Sequence, residues 1–187
     1  MTFDCTLSFG VLISFCTLVL LCFSACLALK KWKVSLALNR AEHIKELIEK
    51  FRNDADIVEI FRLCDYGTSW YFSDFHNNKE NEFINTTVEF KIDKTLTFFS
   101  YICYLIDREI IADEEVAFFD YAIERIISNK DMQNYLHNLF HFAKKNNRKI
   151  SFQYLLNYAK ENKFIDNDFY NRNAYLINDK YHRNLVF

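Results

Sequence analysis

Two histidines at helical spacing are the residues of this sequence whose types and positions come closest to a metal site. His137 and His141 stand four positions apart, which places both imidazoles on one face of a helix, where a zinc ion could bridge them. The glutamate of the HExxH pattern of metalloproteases is missing. Because polar residues share this face, we expect both histidines to be solvated, and they are weak metal candidates. The polar neighbours are Asn134, Asn138, Lys144 and Lys145.

Patterns typical of known enzyme classes are incomplete. Some small helical ribonucleases carry an Arg-(Asn/His/Asp)-x-x-x-x-His pattern, and Arg52-Asn53 and Arg172-Asn173 begin this way but lack the downstream histidine. Two glycines cannot build a phosphate-binding loop, and no GxSxG nucleophile elbow is present. Acid–base pairs among the scattered carboxylates stay open as an alternative. The sequence nevertheless predicts a protein that is not an enzyme, with no catalytic residue, cofactor or metal.

The acidic run and the cysteines have structural interpretations. Asp113-Glu114-Glu115 opens a predicted helix, where carboxylates are stabilised by the positive end of the helix dipole. Four of the six cysteines lie in an apolar N-terminal run. Cys64 and Cys103 fall on predicted helices without a CxxC partner or a histidine at ligand spacing. We expect these two thiols to be buried and inert.

Composition favours helices and argues against one class of partner. Proline is absent, and glycine occurs only at Gly10 and Gly67, so residues that end helices or form tight hairpins are scarce. The chain carries 23 basic and 25 acidic residues. This balance lacks the excess positive charge expected of a duplex nucleic-acid binder. We predict an all-α protein that does not bind nucleic acid.

An apolar run predicts a membrane span and its orientation. Residues 5–29 are uncharged and, as a helix, exceed the roughly 30 Å hydrocarbon thickness of a bilayer. The residues that follow are cationic, with Trp32 at the position of an interfacial anchor. This bias predicts a single-pass protein of the cell inner membrane, with its N-terminus outside and its domain in the cytoplasm. The predicted anchor residues are Lys30, Lys31, Trp32 and Lys33.

Two export signals are alternatives to this span. A cleaved signal peptide has a positive n-region and a shorter apolar core, whereas Asp4 makes this n-region acidic and the run is long. A lipoprotein signal is suggested by Phe23-Ser24-Ala25-Cys26, although Phe is unfavourable at its first position. Under that alternative the domain would be exported, and the sequon Asn85-Thr86-Thr87 would matter only in a eukaryotic lumen.

Small side chains recur along the predicted span at three- and four-residue spacing. Such a face can pack closely against another helix and would allow a homo-oligomer. The alternative is that the hydroxyl groups bond back to carbonyls of their own helix. The small residues are Gly10, Ser14, Thr17, Ser24, Ala25 and Ala28.

The segment 30–52 is predicted to continue as a juxtamembrane amphipathic helix. Its apolar residues form one stripe, which would pack onto the protein's own domain or form a coiled-coil stalk. A parallel dimer would bring Arg40 of one copy against Lys45 of the other, which favours intramolecular packing. The stripe consists of Val34, Ala37, Ala41, Ile44, Ile48 and Phe51, widened by Leu38 and Leu47.

Residues 53–163 are predicted to form a helical bundle, and 164–187 a polar tail that is poorly ordered or peripheral. Asn53-Asp54 offers a helix cap, and Gly67 ends the next helix. Two apolar stripes around the corner Asp107-Arg108-Glu109 predict an antiparallel hairpin, with further helices at about 131–145 and 151–163. Aromatic residues of the 65–85 loop either close the bundle end or form a partner surface. These are Trp70, Tyr71, Phe72 and Phe75.

The stretch 96–136 resembles an uncharacterised bacterial family of single-pass, membrane-anchored helical domains of unknown function. The matching residues include Phe98-Phe99, Leu105, Ile111, Asp113-Glu114-Glu115-Val116 and Phe119. The resemblance covers about 40 residues. It implies the architecture of one N-terminal span followed by a helical hairpin, and it implies no activity or site.

Two functions follow as hypotheses, with a membrane-bound enzyme as a remote third. The first is a membrane-tethered interaction or regulatory module with a protein partner that the sequence does not identify. The second is a membrane-perturbing effector, of the toxin or defence-associated type, whose span self-associates when triggered. For the second, Gly10→Leu or Ser14→Leu would abolish toxicity without changing expression.

Overall fold

The computed structural model describes residues 5–67, 86–165 and 167–170. These residues form six α-helices and two short 3-10 helices, with no strand among them. The prediction of an all-α chain with a long apolar N-terminal helix is confirmed. The helices are α1 (Cys5–Asn53), α2 (Ala55–Asp65), α3 (Thr86–Asp107), α4 (Ala117–Ser128), α5 (Lys130–Lys145) and α6 (Gln153–Glu161), and the 3-10 helices are Asp113–Val116 and Asn167–Tyr170.

Helix α1 contains a segment with the properties of a membrane span. It runs for 49 residues without a break and has a mean hydropathy of 2.6 over its most apolar 18-residue window. Among the described residues it is the one helix that is long and apolar enough to cross a bilayer. The helix also continues through the predicted end of the span at Leu29, because the sequence has no proline that would interrupt its hydrogen bonds.

The chain divides into two compact units, Met1–Leu47 and Ile48–Phe187. The second unit therefore begins five residues earlier than the predicted domain boundary at residue 53, and it includes the last residues of α1. Phe51 is the reason, because its ring lies 5.5–6.4 Å from five other phenylalanine rings. Intramolecular packing is confirmed for this part of the stripe. The five rings are those of Phe61, Phe98, Phe99, Phe118 and Phe119.

Helix α2 begins and ends where the sequence predicts. Asp54 is its N-cap, and its carboxylate accepts hydrogen bonds from the backbone N–H groups of Asp56 and Ile57. Gly67 follows the helix with φ +67°, a left-handed conformation that glycine adopts without steric cost. Ile57, Ile60 and Cys64 form its buried face.

The helices of the second unit pack in a different arrangement from a simple α3–α4 hairpin. Helix α3 lies mainly against α2 and α6, whereas α4 lies against α2 and α5. Contact between α3 and α4 is made by aromatic rings, with Phe98 and Phe99 at 5.9 Å and 6.5 Å from Phe119. These large side chains stand between the two helices, so other helices become the closer backbone neighbours.

The beginning of the predicted tail is part of the core. Ile165 is 6% exposed and Phe169 is fully buried, and the 3-10 helix Asn167–Tyr170 packs against α5. The prediction of a peripheral tail is therefore wrong for this stretch, because its apolar side chains cover one side of α5. Residues 171–187 lie outside the described part of the chain.

Three helices end in a left-handed residue that is not glycine. Glu109, Asn147 and Lys163 have φ between 51° and 61° and follow α3, α5 and α6. At each end the next residue donates its N–H to a carbonyl five positions back, as Phe164 does to Ala159 at 2.8 Å. This is the Schellman arrangement, which glycine normally completes. Side chains with a Cβ pay about 1–2 kcal/mol for this conformation.

Replacing one of these residues with glycine should stabilise the fold. We expect Lys163→Gly, at an exposed site with φ +61°, to raise the free energy of unfolding by on the order of 1 kcal/mol. The matched control is Glu124→Gly, at an exposed position inside α4, which should lower it by about 0.5–1 kcal/mol because glycine disfavours helical backbone. Thermal unfolding of the full chain in mild detergent measures both. An equal loss of stability in the two variants would contradict the assignment.

Candidate functional site

The face of α5 around His137 is buried, in contrast to the sequence-based expectation. His137 and Asn138 are fully buried, and Asn134 and Asp131 are 3% and 6% exposed. The expectation of a solvated face is therefore wrong for His137, Asn134 and Asn138, whereas His141 is half-buried and Lys144 and Lys145 are exposed. The physical reason lies in the 3-10 helix Asn167–Tyr170, because the ring of Phe169 packs edge-on against His137 at 5.6 Å.

The geometry around His137 defines how its ring is held. Its Nδ1 lies 2.8 Å from the backbone carbonyl oxygen of Phe169. A carbonyl oxygen can only accept, so Nδ1 carries the hydrogen and donates it, which leaves the lone pair of the neutral ring on Nε2. The ring of His141 stands one turn further along α5, with its centroid 4.2 Å from that of His137. The structure thus brings the two predicted residues together.

Two imidazoles alone provide few ligands for a metal ion. Structural zinc sites use four protein ligands and catalytic sites three. Across the part of the chain that the structure describes, no group of three or more His, Cys, Asp or Glu side chains is placed to hold a metal. In the described structure both histidines take part in packing. The ring centroids of His141 and Phe140 lie 5.2 Å apart, and His137 Nδ1 bonds to the backbone carbonyl oxygen of Phe169.

Carboxylates at the start of α2 join that helix to α3. Lys94 donates to Asp54 and Asp56, each at 2.8 Å, and Lys91 donates to Glu59 at 2.7 Å. Burial raises the pKa of Asp54, but the hydrogen bond from Lys94 and those from the first backbone N–H groups of α2 outweigh it. The pKa of this carboxyl group is therefore lowered overall.

A second ionic contact joins the end of α2 to α4. Tyr121 and Arg125 donate to the carboxylate of Asp65 at 2.7 Å and 2.8 Å, and Arg125 also donates to the Asp65 carbonyl oxygen. The hydrogen bond from Tyr121 and that from Arg125 lower the pKa of Asp65. These contacts tie the C-terminal end of α2 in place.

Asp93 on α3 is a carboxylate in a less favourable environment. Tyr135 of α5 donates to it at 2.7 Å. Burial raises its pKa, with a smaller upward contribution from Glu89, and the Tyr135 hydrogen bond only partly opposes this. Perturbed carboxyl groups are candidates for acid–base chemistry when they line a cleft. Here the group joins α3 to α5 through the hydrogen bond from Tyr135.

The first residue of the acidic run meets a tyrosine that sequence analysis did not identify. The hydroxyl of Tyr158 on α6 lies 3.2 Å from Asp113 and 3.1 Å from Asp120, and it donates its single hydrogen to one at a time. Burial and the two carboxylates raise the pKa of Tyr158. Glu115 accepts from the N–H of Ala112 at 2.7 Å, in agreement with a structural role for the run. No local sequence pattern indicates that Tyr158 lies at these carboxylates, because it is 45 and 38 residues away from Asp113 and Asp120 in sequence.

The two cysteines of the second unit are buried, as predicted. Cys64 and Cys103 are 3% and 2% exposed. Burial, reinforced by Asp131 and Asp65 at Cys64 and by Asp113 and Asp120 at Cys103, raises the pKa of each thiol to about 12. Since the thiolate is the reactive form, both groups are inert near neutral pH.

The residues predicted to matter in the span lie along one uninterrupted helix. Gly10, Ser14 and Thr17 are exposed, and a Cβ added at Gly10 would meet nothing within 4 Å. Thr17 donates its hydroxyl hydrogen to the carbonyl of Ile13 at 2.8 Å, and Ser24 does the same to Leu21 at 2.9 Å. These two hydroxyl groups therefore form hydrogen bonds to carbonyls of their own helix, which is one of the alternatives given for the small side chains.

The predicted anchor continues into an exposed apolar surface. Lys30, Lys31, Trp32 and Lys33 lie on α1, and Trp32 is 60% exposed. The following stripe residues are also exposed, including Val34 at 54% and Leu38 at 64%. Val34, Ala37, Leu38 and Ala41 are together called the juxtamembrane stripe below.

The predicted aromatic partner surface, consisting of Trp70, Tyr71, Phe72 and Phe75, lies outside the described residues.

Comparison with known proteins gives no relative. No family model matches the chain, and no curated protein or solved structure is similar to it. The resemblance of residues 96–136 to membrane-anchored helical domains stays a prediction.

Asp54 and Asp93 should give stability opposite dependences on pH. The folded pKa of Asp54 lies below its unfolded value, so its contribution is present above about pH 3.9 and lost as pH falls through the folded pKa. The folded pKa of Asp93 is raised, so its contribution is complete below about pH 3.9 and lost as pH rises through the folded pKa. We expect Asp54→Asn to cost stability at pH 7, by roughly 1 kcal/mol or less, and Asp93→Asn to become relatively more stable as pH rises. Urea unfolding near pH 3.9 and at pH 7 measures the free energy of unfolding of each variant. The same change of this free energy with pH in both variants would contradict the prediction.

His137 should stabilise the fold through its hydrogen bond to Phe169, without a bound zinc ion. His137→Leu removes the donor to the buried Phe169 carbonyl and should cost about 1–3 kcal/mol. The exposed Lys145→Leu on the same helix should change stability by no more than about 0.5 kcal/mol. Adding zinc should leave the Tm of the wild-type chain unchanged. A zinc-dependent rise in Tm that is lost in His137→Leu would instead identify a metal site.

Proposed function

We propose that this protein is a membrane-tethered, non-catalytic interaction module whose helical domain faces the cytoplasm and binds a protein partner. The observation that carries the proposal is the juxtamembrane stripe. Past the apolar run, α1 continues as a helix and presents Val34 and Leu38 to solvent with more than half of each side chain exposed. Single exposed apolar residues are common, but a row at three- and four-residue spacing is typical of helices that bind a partner.

The charge distribution supports the tether and its orientation. Lys30, Lys31 and Lys33 directly follow the apolar run, whereas Asp4 precedes it. Cationic residues are retained on the cytoplasmic side of short membrane-flanking segments. The bilayer is thus the first partner of the chain, and confinement to it raises the effective concentration of the domain near a second, protein partner.

The use of polar groups within the second unit supports a non-catalytic role. Asp65 and Asp93 each accept from a tyrosine of another helix, and Asp113 and Asp120 share Tyr158. Catalytic acids and bases must reach a substrate in a cleft. These groups instead join one helix to the next, which is a structural use of the same chemistry.

Purification from the native host tests the proposal. The full-length chain is cross-linked in cells, extracted in gentle detergent and separated, and its cross-linked species are identified. We expect a specific cytosolic protein in stoichiometric yield. A ladder of the chain's own oligomers without such a protein would contradict the proposal and favour the effector whose span self-associates.

A labelling control establishes the compartment. After alkaline carbonate washing, the chain should remain in the membrane pellet. Asn39→Cys introduces an exposed thiol on α1, and the unchanged chain, which keeps the four cysteines of the apolar run, gives the background signal. A membrane-impermeant maleimide should label the variant more strongly than the unchanged chain only after the cells are permeabilised. Stronger labelling of the variant in intact cells would place the domain outside and overturn the cytoplasmic orientation.

A further inference from the structure

We propose that Lys30, Lys31 and Lys33 form a binding site for anionic phospholipids at the end of the membrane span. This inference rests on the membrane tether of the proposed function and names the class of lipid that the tether selects. Lysines that set the orientation of a span do not by themselves require a preference for any lipid. The preference follows from the depth, the common side and the isolation of these three cations.

The three lysines lie at one depth of the bilayer. The apolar run ends at Leu29, and the lysines occupy three of the next four positions. Because a helix rises 1.5 Å per residue, Lys30 and Lys33 differ by only about 4.5 Å along the axis. The headgroup region is about 5–8 Å thick on each side of a bilayer. A span that ends at Leu29 therefore places all three ammonium groups among the lipid phosphates.

The three lysines also share one side of α1. Successive residues of a helix turn by about 100°, so Lys30, Lys31 and Lys33 fall within an arc of about 160°. Trp32 lies opposite the centre of this arc, and all four side chains are exposed. A phosphate on the lysine side is therefore within reach of more than one ammonium group, whereas a lipid on the other side meets the indole ring.

No carboxylate competes for these cations. The sequence has no acidic residue between Asp4 and Glu42. Glu42 is about 14 Å along the axis from Lys33, which exceeds the Debye length of about 8 Å at physiological ionic strength. In the part of the chain that the structure describes, none of the three lysines forms an ion pair, whereas Lys91 and Lys94 of the second unit do. The positive charge is thus available to an external anion.

The chemistry of the site selects the net charge of a lipid and not one particular headgroup. A lysine ammonium group acts as a compact point charge, without the fixed fork of donors that arginine presents. A zwitterionic lipid carries its own cation beside the phosphate, whereas an anionic phospholipid leaves the phosphate charge uncompensated. Lysines near a membrane surface are attracted by such lipids. The class of ligand is therefore the anionic phospholipids, supplied by the bilayer that surrounds the span.

The test uses the full-length chain in nanodiscs that mix phosphatidylcholine with anionic phosphatidylglycerol. In parallel preparations one of the two lipids carries brominated acyl chains, which quench tryptophan fluorescence on contact. The reporter is Leu27→Trp, on the lysine side about 4.5 Å before Lys30, with Trp32→Phe and Trp70→Phe removing both natural tryptophans. Both leaflets of the disc have the same composition, so the direction of insertion does not affect the result.

We expect the reporter to show at least about a threefold preference for the anionic lipid at low salt. The preference should approach one at about 1 M salt, where the Debye length is about 3 Å. Quenching that is equal for the two lipids at low salt would overturn the inference. Inorganic phosphate added at constant ionic strength should leave the preference unchanged. Its loss on adding phosphate would overturn the assignment to lipid.

Matched charge reversals locate the site. Lys31→Glu with Lys33→Glu should abolish the preference, because the cations at headgroup depth are replaced by anions. Arg40→Glu with Lys45→Glu changes the net charge by the same amount, but at least about 10 Å further along α1, and should retain most of the preference. An equal loss in the two double variants would overturn the location.

A second reporter tests the sidedness of the site. With Trp70→Phe alone, Trp32 is the single tryptophan and reports on lipids at the other side of α1. It should show a smaller preference than Leu27→Trp, and an equal preference would overturn the one-sided arrangement.

The same data separate this inference from the proposed function. If neither brominated lipid quenches the reporter at residue 27, that position is not in the bilayer, and the tether and the inference fail together. If both lipids quench it equally, the inference fails and the membrane-tethered module stands.

Discussion

The unbroken backbone hydrogen bonding of α1 is the constraint on which the other features of this chain depend. A helix satisfies its own N–H and C=O groups, so the same backbone is stable in lipid and in water, and only its side chains change along its length. Up to Leu29 they are uncharged all round, and beyond it apolar side chains occupy one stripe. Because a helix fixes the direction of each side chain by its position, the stripe and its flanking cations have a defined geometry.

In the second unit, apolar burial is concentrated on phenylalanine rings, and polar groups join helices to one another. Phe51 brings the end of α1 among rings of α2, α3 and α4. Asp65 and Asp93 then accept hydrogen bonds from tyrosines of neighbouring helices. A chain with almost no glycine also ends three helices with strained left-handed residues. Hydrogen bonds between tyrosines and aspartates thus link the helices of a small core.

Local patterns predicted much of the fold, because they depend on neighbours in sequence. The cap at Asp54, the helix end at Gly67 and the buried Cys64 and Cys103 were all predicted from spacing and are found. The solvated face of His137 was predicted by the same reasoning and is wrong. The polar neighbours of that histidine gave no indication that Phe169, 32 residues later, would cover it.

The sequence by itself determined the helical class, the apolar N-terminal run and the charge pattern of α1, because periodicity and hydropathy are properties of consecutive residues. Tertiary structure alone decided which faces are covered. It buried the face of α5 around His137 and set α2 and α6 against α3. The physical reason is that burial depends on contacts between distant segments, and no local periodicity records which segment will supply the covering side chains.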